Sequence, residues 1–118
     1  MKALIFSLLA SVSMFGQAKF EMNKVVGEWT SNGVALDITI NSAKNGGLDV
    51  VAKSSTSGDD VLVVGVNVAS AGFTIETLYE PNDWRTQSRF VMVDDNTMIS
   101  FITGDGEGEA IYKKVKKE

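Results

Sequence analysis

Beyond residue 24 the chain alternates apolar and polar positions with a period of two. Val34, Leu36, Ile38 and Ile40 fall on one face of a segment, and Ala35, Asp37, Thr39 and Asn41 on the other. That is the signature of a strand with one face in a core and one in water. Leu48, Val50 and Ala52 against Asp49, Val51 and Lys53 repeat it. So do Phe73, Ile75, Thr77 and Tyr79 against Thr74, Glu76, Leu78 and Glu80. The longest case sets Trp84, Thr86, Ser88, Phe90 and Met92 against Arg85, Gln87, Arg89, Val91 and Val93. Residues 61–68 break the rule. Their nearly continuous β-branched run predicts a strand buried on both sides, with Leu62, Val64, Val66 and Val68 as its fuller face.

Three more strands are expected at about 25–30, 97–103 and 109–115, and turn signals separate all eight. Asn32-Gly33 is the strongest, because both residues tolerate the positive φ of a tight hairpin turn. Asn45-Gly46-Gly47, the Ser/Thr/Gly/Asp segment 54–60, residues 69–72, Glu80-Pro81-Asn82-Asp83, Asp94-Asp95-Asn96 and the glycine-acid run 104–108 mark the others. Strands in sequence joined by short turns form an antiparallel meander, and about eight of them close a barrel with a small interior. The expected fold is therefore all-β: an eight-stranded antiparallel up-and-down β-barrel, with a β-sandwich of the same strands as the alternative. Residues 19–24, carrying Phe20 and Met22, are expected to pack across one end. An outer-membrane barrel does not fit, since Arg85, Gln87 and Arg89 would share a lipid-facing side.

The first eighteen residues have a different character. Lys2 precedes an apolar run from Ala3 to Leu9 that weakens toward Phe15, and Gly16-Gln17-Ala18 supplies small residues at a cut site. This layout predicts a signal peptide over 1–18 and a single domain over 19–118, secreted or periplasmic. The run is too short and serine-interrupted for a membrane span.

Residues 19–118 carry ten basic and fifteen acidic side chains, a net charge of −5. Nucleic acid is not an expected partner, because phosphate binding needs a basic face. The chain has no cysteine and no histidine. That excludes disulfides, thiolate chemistry, histidine metal ligands and histidine-based triads. With no Gly-x-Ser-x-Gly elbow and no phosphate loop either, enzymatic activity is not expected. Asp105, Glu107 and Glu109 alternate with glycines, but their spacing differs from that of a calcium loop, and no metal or cofactor is implied.

At Gly27-Glu28-Trp29 the chain resembles the lipocalin-like (calycin) group, whose first strand carries a Gly-x-Trp motif. The resemblance implies that Trp29 plugs one end of the barrel against a basic residue of the last strand, here Lys113 or its neighbour Lys114. The run from Gly27 to Gly33 also resembles the opening strand and turn of avidins. The later tryptophans that line the avidin biotin pocket have no counterpart here, and biotin is not the implied ligand. Residues 73–115 are similar to the second half of small secreted bacterial lipocalin-like domains, with a lysine where that group has arginine and without its terminal helix.

The inward stripe of the two best-patterned strands supplies the candidate cavity lining: Phe73, Ile75, Thr77, Tyr79, Trp84, Thr86, Ser88, Phe90 and Met92. Its hydroxyls would orient a small, largely apolar ligand in a mostly apolar pocket. The same residues would equally fill a solid core, leaving an interaction or envelope-structural module with no small-molecule ligand.

Overall fold

The computed structural model describes residues 21–116. The leader expected over residues 1–18, the cut expected after Ala18, and Phe20 lie outside the described residues. A single helical turn, α1 (Met22–Val25), leads into β1 (Gly27–Thr30), β2 (Leu36–Ser42), β3 (Leu48–Ser54), β4 (Asp60–Ala69) and β5 (Gly72–Tyr79). A 3-10 turn, Glu80–Asn82, precedes β6 (Trp84–Asp94), β7 (Thr97–Gly104) and β8 (Gly108–Lys114). Each strand pairs antiparallel with the next, and β1 pairs with β8 through Trp29–Lys114 and Thr30–Lys113. The eight strands thus form a closed up-and-down barrel, which excludes the sandwich. Among the described residues no helix is long and apolar enough to cross a membrane.

The turn chemistry accounts for the meander. Asn32 and Gly33 sit at φ 57° and 87°, as the Asn-Gly signal requires, and Val34 N–H donates back to Ser31 O. That turn is part of a longer connection, because Thr30 pairs with Asp37. Strand β2 consequently starts at Leu36 rather than Val34, which stands 67% exposed. Pro81 is the second residue of the 3-10 turn, and Asp83 closes it with a left-handed φ of 55°. Asp94 accepts the Asn96 N–H to cap the β6–β7 turn. Gly72 lies so close to β6 that any Cβ there would overlap the Phe90 carbonyl oxygen.

Inward faces follow the alternation in β2, β3, β5 and β6. Strand β4 differs from the expectation. It is not buried on both sides: Leu62 and Val64 stand 45% and 54% exposed on the outer wall, while Val61, Val63 and Val66 face inward. A bulge between Val63 and Gly65 shifts the register by one residue, so an inward series that begins on odd numbers continues on even ones. A run of mostly valine and leucine carries no sign of which face is inside.

The core occupies the half of the barrel nearest α1. Phe73 and Phe90 stack with ring centroids 4.8 Å apart, and Tyr112 meets Phe90 edge-on at 5.0 Å. Trp29, Ile38, Ile40, Ile75 and Met98 complete it, all essentially inaccessible to solvent. The Tyr112 hydroxyl accepts the Leu36 N–H at 3.2 Å, and burial pushes its pKa up to about 12. Unfolded tyrosine titrates near 10. Between pH 10 and 12 the unfolded chain therefore releases a proton that the fold retains, and stability falls as pH rises. A loss of about 2–3 kcal/mol across that window is expected from this group. Urea midpoints followed from neutral pH through the window should show it, and Tyr112→Phe should flatten it.

Candidate functional site

Cross-strand pairing between β5 and β6 sorts the candidate stripe into layers. Phe73 faces Phe90, Ile75 faces Ser88, Thr77 faces Thr86, and Tyr79 faces Trp84. Ring volume thus falls from the closed end toward the middle and rises again at the rim. Where the side chains are small the barrel is hollow. A cavity of about 630 Å³ opens at the end of the barrel opposite α1. Thr77, Thr86 and Ser88 line its depth, Tyr79 and Trp84 its mouth.

The stripe therefore divides. Thr77, Tyr79, Trp84, Thr86 and Ser88 line the cavity, whereas Phe73, Ile75 and Phe90 lie beneath it in the packed core, and Met92 packs against that core. The other strands contribute apolar wall that the stripe does not include: Leu36, Val61 and Ile102. Their inward orientation was readable from alternation in β2, but not in β4, for the reason given above. Loop residues stand at the rim, among them Ser57, Asp59, Asn82 and Glu107, and no periodicity marks loop residues as lining.

The polar groups of the lining are held before any ligand arrives. Thr77 and Thr86 share a hydrogen bond of 2.7 Å, and Thr77 also reaches the Thr86 carbonyl at 3.5 Å. Ser88 is only 2% exposed. Tyr79 donates its hydroxyl proton to Asp59 at 2.7 Å, which holds its pKa above the ordinary value. Trp84 lies against Gly106, where a Cβ would come within 3.0 Å of the indole. Asp37 accepts from both Thr30 and Ser55, at 2.7 and 2.9 Å, and so ties the β1–β2 loop to the β3–β4 loop beside the mouth. Asp105 accepts the Arg85 N–H at 2.8 Å, fixing the β7–β8 turn to the start of β6.

At the opposite end Trp29 is a plug. Its Nε1–H donates to Val25 O at 2.8 Å, tying α1 over the barrel. The lysine on its ring is Lys114, with Nζ 5.5 Å from the ring centroid and donating to Lys24 O at 2.9 Å. Lys113 is not the plug partner. Alternation along β8 turns it outward, where it donates to Thr97, while Ala110, Tyr112 and Lys114 face in. No group of three or more acidic side chains is placed to hold a metal ion among the described residues.

An eight-stranded antiparallel barrel, closed by its first strand against its last and hollow at one end, is consistent with a calycin-like fold. Comparison with known protein families, curated proteins and solved structures found no match.

Proposed function

We propose that this is an exported lipocalin-like barrel that binds a small, largely apolar molecule in its open half and catalyses no reaction. The observation that carries the reading is the hollow itself: about 630 Å³, walled by Leu36, Val61 and Ile102 and furnished in its depth with the hydroxyls of Thr77, Thr86 and Ser88. That size and this apolar wall with few polar groups are typical of small-molecule sites. Affinity would come from burial, at about 25 cal/mol per Å² of apolar surface withdrawn from water. Export rests on the leader pattern of residues 1–18 and the absence of cysteine.

The two tryptophans make the test direct. Trp29 is 1% exposed and sealed at the closed end, while Trp84 is 46% exposed at the mouth. Titration with Nile red, a neutral apolar dye, should change Trp84 emission and saturate. Trp84→Phe should remove the tryptophan response while dye emission still rises. An unsaturable response, or one equal in the chain unfolded by urea, would sink the proposal.

A surface role is the second reading, favoured by Val51, Leu62 and Val64 standing exposed on the outer faces of β3 and β4. The double variant Leu62→Lys with Val64→Lys separates the two. Interior binding should be indifferent to it.

A further inference from the structure

The charged residues of the loops at the mouth are all of one sign. The four loops at the open end span 31–35, 55–59, 80–83 and 105–107, and they carry Asp59, Glu80, Asp83, Asp105 and Glu107 without a single lysine or arginine. Two of these, Asp59 and Glu107, line the cavity, and no basic residue does. Among the described residues neither is in an ion pair. Arg85 and Lys53, the nearest bases in sequence, follow strand alternation to the outside, and Arg85 pairs there with Asp83. The opposite end is mixed in sign: Lys24, Lys44, Lys114 and Lys116 stand there with Glu21, Asp94 and Asp95, and Lys24 pairs with Glu21 and Asp95. At the entrance, by contrast, the loops carry acidic side chains with no base among them.

Two aromatic rings stand at that entrance, Tyr79 and Trp84, paired across β5 and β6. Aromatic faces attract cations, tryptophan most strongly, and desolvation increases the attraction. A carboxylate outside any ion pair adds to it, as Asp59 does while accepting the Tyr79 hydroxyl proton, and disfavours an anion for the same reason. Below the rings the wall turns apolar at Leu36, Val61 and Ile102, with Ser88 deep in the lining. Resting on the reading that the cavity holds a ligand, we infer that its ligand is a cationic amphiphile, with an apolar body in the barrel and a protonated amine or quaternary ammonium between Tyr79, Trp84, Asp59 and Glu107. The bound headgroup stays near water, which spares it the cost of full desolvation. A fatty acid entering the same way would set its carboxylate against two others.

Decylamine, decanol and decanoate share a tail and differ in head charge, so competition with bound Nile red isolates the charge. Decylamine should displace the dye at a concentration lower than decanoate by roughly tenfold or more, equivalent to about 1.4 kcal/mol. The gap should narrow in high salt. Asp59→Asn with Glu107→Gln should close most of it, whereas Asp49→Asn with Glu76→Gln, an equal charge change on the outer wall, should leave it open. Equal displacement by all three, preference for decanoate, or equal effects of the two double variants would overturn the cationic assignment while leaving a ligand cavity standing. If Nile red itself fails to bind, the cavity reading falls and this one with it.

Discussion

Trp29→Ala is expected to destabilise the barrel by about 3–5 kcal/mol, the usual cost of truncating a buried large aromatic residue. Small domains have only about 5–15 kcal/mol in total, so a fall in Tm on the order of 15–30 °C should follow. The position concentrates three jobs. β1 is four residues long and closes the barrel against β8 through two residue pairs, one of them Trp29 with Lys114. Its indole also holds α1 through Val25 O and carries Lys114 over its face. Trp29→Phe keeps most of the packing and loses the Val25 hydrogen bond, so it should cost nearer 1–3 kcal/mol. Lys114→Met should be measurably destabilising and Lys113→Met close to neutral, because only the former sits on the ring. Urea melts of the four variants check the order. A Trp29→Ala protein as stable as Trp29→Phe would mean that the closed end is held by something other than this plug.

Strand existence and most inward faces were legible in the sequence, because a half-buried strand must alternate. Ile38 and Ile40, Leu48, Val50 and Ala52, and the stripe from Phe73 to Met92 all face inward as their spacing requires. β4 was not legible, since Leu62 and Val64 resemble core residues and a bulge moves the inward series between them and Val66. The helical turn at Met22–Val25 is too short to leave a period, and it takes Val25 out of the first strand. The difference between lining and filling was hidden for another reason. Alternation reports which face a residue is on, never how deep it lies. Depth comes from knowing which residue stands opposite. Once Phe73 faces Phe90 and Thr77 faces Thr86, large rings meet at one level and hydroxyls at another, and the hollow lies at the level of the small side chains. The plug lysine shows the same limit at the scale of one residue: Lys113 and Lys114 are chemically alike, and only the register of β8 against β1 chooses between them.

Enlarging the lining should abolish binding without unfolding the protein, and this contrast separates a cup from a filled barrel most sharply. Thr86→Trp with Ser88→Phe puts two rings into the cavity level, where about 630 Å³ lies open to receive them. Thr77 keeps the Thr86 carbonyl as an acceptor, so no buried hydroxyl there is orphaned. Stability should change by no more than about 1 kcal/mol, because the added rings meet apolar wall rather than packed atoms. Nile red affinity should fall roughly a hundredfold or more, about 2.7 kcal/mol or above, since the surface that would enclose the dye is gone. Ala110→Phe is the matched control. Ala110 is 4% exposed on β8, faces the fully buried Ser100, and belongs to the packed half. The ring there should cost about 1–3 kcal/mol or more and leave dye affinity unchanged in whatever fraction stays folded. Denaturant midpoints and dye titrations on the two variants give the full comparison. If both destabilise alike, the open half is as closely packed in solution as the other, and ligand binding loses its physical basis. If only Ala110→Phe does, the barrel holds space it does not fill, at a free-energy cost that a ligand would offset.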